Sequence, residues 1–177
     1  MEIEILLKMA IKLLYIKDSY LLEINVNERA ITHRLAMYLQ MLFTDYDVDC
    51  EYNRDFRDKK NIKFTQEEVE KMLSEIKVPF KEKIKKFLEE DNEDYLECSV
   101  YPDIIIHKRN SNNNLLAIEV KKQNSNEKDD EFDELKLKKY TDANGLSYEY
   151  GVFIKLGKTY KEKKISWYKN GMPIIII

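Results

Sequence analysis

The sequence predicts a mixed α/β fold: a central mixed β-sheet flanked by helices, with a helical insertion at about residues 56–95. Three observations carry that expectation. Segments with apolar residues three and four positions apart are interspersed with short runs that alternate polar and apolar or are continuously aliphatic. Two of those runs, residues 101–109 and 115–122, are separated by Asn110-Ser111-Asn112-Asn113-Asn114, a turn composition. Gly and Pro number only four and three in 177 residues, so long flexible linkers are not expected and a single domain over 1–177 fits the length.

The elements follow in order. Residues 2–16 place Ile5, Met9, Leu13 and Ile16 at helical spacing, and Asp18 and Ser19 break that helix. Asn27 is a good N-cap for a second helix running to about Phe43, with apolar positions at Ala30, Ile31, Leu35, Tyr38, Leu39 and Leu42. Residues 47–52 alternate as a strand does. Residues 56–64 are charged and read as a loop. Thr65 with Glu68 forms a capping box that opens a helix to about Lys77, and Pro79 suits the first turn of another ending near Glu90. After the hairpin come a helix over about 130–142, strands at 150–156 and 164–168, and an edge strand at 173–177. The order is that of a mixed sheet flanked by helices.

Composition narrows the function classes. The net charge of −3 carries no general mark of a nucleic-acid binder. Charge is uneven, however. Six lysines (155, 158, 161, 163, 164 and 169) face only Glu162 over residues 155–169, which permits a basic face or merely a solvated lysine-rich surface. Cys50 and Cys98 are too few for a disulfide framework, and the first apolar run is too short and too charged to cross a bilayer. A cytoplasmic protein with no membrane association is expected. Two histidines, His33 and His107, without a cysteine or second histidine at ligand spacing make a zinc site improbable. Serine-hydrolase and nucleotide-binding motifs are absent from the sequence.

The hairpin carries the chemistry. Antiparallel pairing across the five-residue turn puts residue 109 opposite 115 and residue 103 opposite 121, so that Glu119 faces Ile105. Asp103, Ile105, His107, Ala117, Glu119 and Lys121 then share one face, and Ile104, Ile106, Leu116, Ile118 and Val120 form an aliphatic opposite face. Two carboxylates and an ammonium at one end of a strand pair suit a hard divalent cation, which needs only one or two protein carboxylates. The same residues also suit an ordinary cross-strand ion pair between Asp103 and Lys121, with Glu119 exposed.

Pro102-Asp103, a fifteen-residue gap and then Glu119-Val120-Lys121 resemble the motif of the PD-(D/E)xK nuclease superfamily, whose fold is restriction-endonuclease-like. The resemblance covers roughly residues 24–157. It implies a nuclease that hydrolyses phosphodiester bonds with Mg²⁺ or Mn²⁺, and DNA as the commonest substrate. It implies Asp103, Glu119 and Lys121 as catalytic residues, with Asp103 and Glu119 on the metal. Glu28 matches the glutamate that members often carry on the preceding helix, as a further metal contact, or else is a first-turn glutamate that favours the helix dipole. Lys136 and Tyr140 resemble a QxxxY motif, with lysine in place of glutamine. Together with Lys122 they are expected to contact nucleic acid, although Tyr140 also suits packing. His107, His33, Arg34, Glu51 and Arg54 stand as lesser candidates for substrate contact or support. The alternative is a catalytically inactive nucleic-acid- or protein-binding module of the same fold. The oligomeric state stays open, a homodimer included.

Overall fold

A computed structural model describes residues 2–24, 26–52, 54–55, 58–75, 81–90 and 94–176. The chain begins with α1 (Glu2–Lys17), a short α2 (Ser19–Glu23) and α3 (Glu28–Leu42), followed by β1 (Asp47–Cys50). The next segment holds β2 (Arg54–Asp55), β3 (Asp58–Lys59), β4 (Asn61–Phe64), α4 (Gln66–Glu75), α5 (Lys81–Glu90) and β5 (Leu96–Ser99). Then come β6 (Ile104–His107), β7 (Asn114–Lys122), α6 (Glu127–Thr141), β8 (Tyr150–Leu156), β9 (Lys164–Lys169) and β10 (Met172–Ile174).

Six strands form one mixed sheet in the order β1-β6-β7-β8-β9-β10. Only β7 and β8 run parallel, and α6 makes the crossover between them. The remaining neighbours in this sheet are antiparallel. A sheet covered on both faces needs apolar side chains on both, and this one has them. Ile104, Ile106, Leu116, Ile118 and Val120 pack with α1 and α3, whereas Ile105, Ala117 and Phe153 pack with Leu137 and Tyr140 of α6.

The helix ends obey local chemistry. The Asn27 side chain accepts a hydrogen bond from the Ala30 amide at 2.9 Å, which starts α3 where the sequence predicts. Thr65 and Glu68 form the expected reciprocal cap, with the Thr65 amide donating to Glu68 at 2.9 Å and the Glu68 amide to Thr65 at 3.3 Å. The continuation of α4 to Lys77 and the start at Pro79 lie outside the described residues.

Four expectations need correction. The hairpin register differs by two residues: Ile105 pairs with Ala117, not with Glu119. The turn closes tighter than expected, with the Lys108 amide donating to the Asn113 carbonyl at 2.9 Å, and a bulge between Ile106 and His107 absorbs one residue. An even shift preserves which face each side chain occupies, so Ile105, Ala117 and Glu119 keep a common face. Second, the 56–95 region is not purely helical. Residues 61–64 form β4, which pairs with β5 (Ile62 opposite Cys98, Phe64 opposite Leu96), and the alternating buried residues are too few to stand out among the charges. Third, α1 buries Leu7, Ala10, Ile11 and Leu14, while Ile5, Met9 and Ile16 are exposed; the helix is apolar nearly all round, so spacing alone did not select its inner face. Fourth, the chain resumes as a helix at Ser19 directly after the predicted break.

No described helix is long and apolar enough to cross a membrane.

Candidate active site

The site forms where the N-terminal end of β6, the C-terminal end of β7, the start of α3 and the inner face of α6 converge. Asp103 immediately precedes β6. Its Oδ2 accepts a hydrogen bond from the Val120 amide at 2.8 Å, so the carboxylate is tied to the backbone between Glu119 and Lys121. That bond does the work expected of the Asp103–Lys121 cross-strand pairing.

Glu119 is only 1% exposed. The Tyr140 hydroxyl donates to its Oε1 at 3.1 Å, and the Lys136 ammonium lies 3.0 Å from the same oxygen. Burial raises the Glu119 carboxyl well above the usual carboxylate range; Lys136 opposes that rise and the neighbouring Asp103 and Asp133 add to it. Asp103 is likewise raised, chiefly by burial, against the pull of the Val120 amide and the two lysines. The reading of Glu119 as the exposed bystander of an ion pair therefore fails.

Lys121 does not pair with Asp103 but lies 2.8 Å from Asp133 and 3.3 Å from Glu28. Burial alone would lower the pKa of this ammonium. Asp133 and then Glu28 and Asp103 reverse that, so it lies above the ordinary lysine range and keeps its proton. Glu28 reaches the site across 93 residues of sequence, with one oxygen on the Lys121 ammonium and the other accepting from the Lys122 amide at 3.3 Å. It thus contacts the lysine and, with Asp103, lines a common cleft.

The predicted nucleic-acid contacts separate. Tyr140 is fully buried, and burial followed by Glu119 raises its phenol well above the usual value, so it is a neutral donor inside the protein. Lys136 is largely buried between Glu119 and Asp133, 2.6 Å from the latter. Lys122 is partly exposed and its ammonium donates to the Val26 carbonyl at 3.0 Å. His107 is buried, with Nε2 2.9 Å from Asp49, and it sits beyond the bulge away from Glu119. Arg34 pairs with Asp18. The Arg54 side chain lies outside the described residues.

Beside Asp103 opens a cleft of about 560 Å³, lined by Glu28, Arg29, His33, Cys50 and Glu51 among others. Glu51 is held by Arg29 at 2.8 Å. Cys50 is solvent-exposed, and its thiol is pushed up to about 11 by partial desolvation and then by the charges of Asp103, Asp49 and Glu51.

Sequence reasoning missed Asp133. It is 4% exposed and has one oxygen on each of the two site lysines, although the angle to Lys121 is poor for a hydrogen bond. A signal was present: Phe132, Asp133, Lys136, Leu137 and Tyr140 fall on one stripe of α6, and a stripe mixing charge with apolar residues shows little amphipathic contrast.

Among the described residues, no group of three or more His, Cys, Asp or Glu side chains is arranged to hold a metal ion. A hard cation such as magnesium does not require one, because it commonly keeps several waters and takes one or two carboxylates. A buried carboxyl, Glu119, and a half-buried one, Asp103, both with raised pKa values and so destabilised as anions, fit such an ion.

No protein-family model, curated protein sequence or solved structure matches the chain.

Proposed function

We propose that this chain is a Mg²⁺- or Mn²⁺-dependent nuclease of restriction-endonuclease-like fold that hydrolyses phosphodiester bonds in nucleic acid, DNA foremost. The single observation that carries the reading is the bond from the Val120 amide to Asp103, which locks one carboxylate against the strand segment bearing Glu119 and Lys121. Asp103 and Glu119 would hold the ion, which when bound lowers the pKa of a coordinated water and offsets phosphodiester charge. Lys121 keeps its proton, so its role is not that of a base: it donates hydrogen bonds to the attacking water or to a phosphate oxygen and stabilises charge as it develops. Glu28 restrains that ammonium from the α3 side. The cleft beside Asp103 gives the scissile phosphate an approach, with Arg29 and His33 on its wall. A cytoplasmic setting agrees with Cys50 and Cys98 remaining as thiols rather than a disulfide.

The test is cleavage of a mixed panel of single- and double-stranded DNA and RNA with Mg²⁺ or Mn²⁺ and with EDTA. Activity is expected only with metal, should vanish in Asp103→Ala and should fall by about 10³-fold, to a measurable residue, in Lys121→Ala. Full activity in either variant would remove these residues from the mechanism.

One observation favours a second reading, a catalytically inactive binding module: Glu119 already has Lys136 and Tyr140 as internal partners and does not demand an ion. Calorimetric titration with Mn²⁺ separates the two, since a working centre binds the ion and loses it in Asp103→Ala.

A further inference from the structure

Asp133 lies outside the predicted motif, yet it is the hub of the charges around Glu119. Its Oδ1 is 2.6 Å from the Lys136 ammonium and its Oδ2 is 2.8 Å from the Lys121 ammonium. Lys136 in turn touches Glu119, and Lys121 touches Glu28, which gives an unbroken alternation Glu119–Lys136–Asp133–Lys121–Glu28. Within this chain Asp133 is the only member in contact with both lysines.

We infer that Asp133 is a positioning residue for the hydrolytic reaction: it aims the Lys121 ammonium, and through Lys136 it orients the Glu119 carboxylate. The inference rests on the nuclease reading and goes further by assigning α6 a share in catalysis. Three observations support it. Lys121 has a long flexible stem that by itself holds no direction, and Asp133 and Glu28 grip its ammonium from two elements. Glu28 hydrogen-bonds the ammonium from a partly exposed helix start, whereas Asp133 makes the shorter ion-pair contact, 2.8 Å against 3.3 Å, from the packed layer between α6 and the sheet. The two lysines sit on opposite oxygens of one carboxylate, so a change at Asp133 reaches both ends of the site together.

The experiment compares the full-length wild type with Asp133→Asn, Asp133→Glu, Lys121→Ala and the double variant Asp133→Asn/Lys121→Ala. Each is followed by thermal unfolding, Mn²⁺ calorimetry and steady-state cleavage of an oligonucleotide. Asp133→Asn is expected to keep the Mn²⁺ stoichiometry and to change KM by less than about threefold, while kcat falls by about 10²-fold, as misplacement of a catalytic group does. Asp133→Glu should recover most of that loss. In the Lys121→Ala background Asp133→Asn should cost clearly less than it does in the wild type, because one of the two groups it positions is gone and only the Lys136–Glu119 arm remains. Unchanged kcat in folded Asp133→Asn, or losses that multiply in the double variant, would overturn the inference. Should Asp133→Asn fail to fold, ¹⁵N-edited spectra of the wild type decide: a Lys121 ammonium whose protons exchange slowly supports the anchor, and one that exchanges as freely as surface lysines refutes it. A wild type that neither binds Mn²⁺ nor cleaves defeats the nuclease reading itself, an outcome distinct from all of these, and the positioning role falls with it.

Discussion

The Lys136 ammonium lies 3.0 Å from the Glu119 carboxylate, a cation from a helix and an anion from a strand meeting in the layer between them. This pair is buried, and its value to the fold is set by what remains when one partner is removed. Lys136→Met leaves Glu119 and Asp133 with one fewer cation in a poorly solvated place. It should lower stability by roughly 3 kcal/mol at neutral pH, the usual scale for breaking a buried ion pair. Added Mn²⁺ should restore more of the lost melting temperature in Lys136→Met than it adds to the wild type. Equal gains in both proteins would show that the ion does not share a site with this ammonium.

The raised carboxyls of Asp103 and Glu119 make the pH dependence of stability calculable in sign. In the folded protein both hold their protons more tightly than in the unfolded chain. Their contribution is therefore fully present below the unfolded carboxylate pKa of about 4 and is lost as pH rises through the folded values. In metal-free urea titrations, Asp103→Asn should become progressively more stable relative to the wild type as pH rises above the unfolded carboxylate value. Mg²⁺ should narrow that gap at the upper end. A gap that shrinks with rising pH in EDTA would contradict the burial argument.

Cys50 offers a probe of the cleft that needs no turnover. With its thiol near 11, it should react with iodoacetamide at about pH 8 roughly 10²-fold more slowly than an ordinary thiol, because the thiolate is the nucleophile. Part of that rise comes from the negative charge of Asp103. A divalent cation bound there should speed the alkylation, and Asp103→Asn should speed it without metal. Mass spectrometry of the modified peptide distinguishes Cys50 from the buried Cys98.

The distance between α6 and the sheet depends on a glycine. A Cβ at Gly151 of β8 would stand 3.2 Å from the Thr141 Cγ2 and 3.3 Å from the Leu137 Cδ2, so a larger side chain must push the helix away. Gly151→Val should cost about 1–3 kcal/mol through overpacking. Because Asp133, Lys136 and Tyr140 ride on that helix, cleavage per folded molecule should fall as well. Lost stability with full specific activity would mean that the helix tolerates displacement without disturbing the site.

Short-range rules made part of this protein legible in its residues alone. Asn27 and Thr65 start helices because their side chains satisfy amides three residues ahead. Ile104, Ile106, Leu116, Ile118 and Val120 face α1 and α3 because strand side chains alternate. That alternation also brought Asp103, Glu119 and Lys121 to one end of a strand pair despite a register read two residues out, since an even slip leaves the faces unchanged. How charges far apart in sequence are shared was fixed by the assembled fold. Whether Lys121 would meet Asp103 or Asp133, whether Tyr140 would face solvent or Glu119, and which side of α1 would be buried all depend on which helix docks where. Packing of α6 across β7 and β8 settled the first two. Periodicity reports that a face is apolar or mixed, but ion-pair partners are selected by distances of a few ångströms between separate elements, and those distances exist only once the layers are assembled.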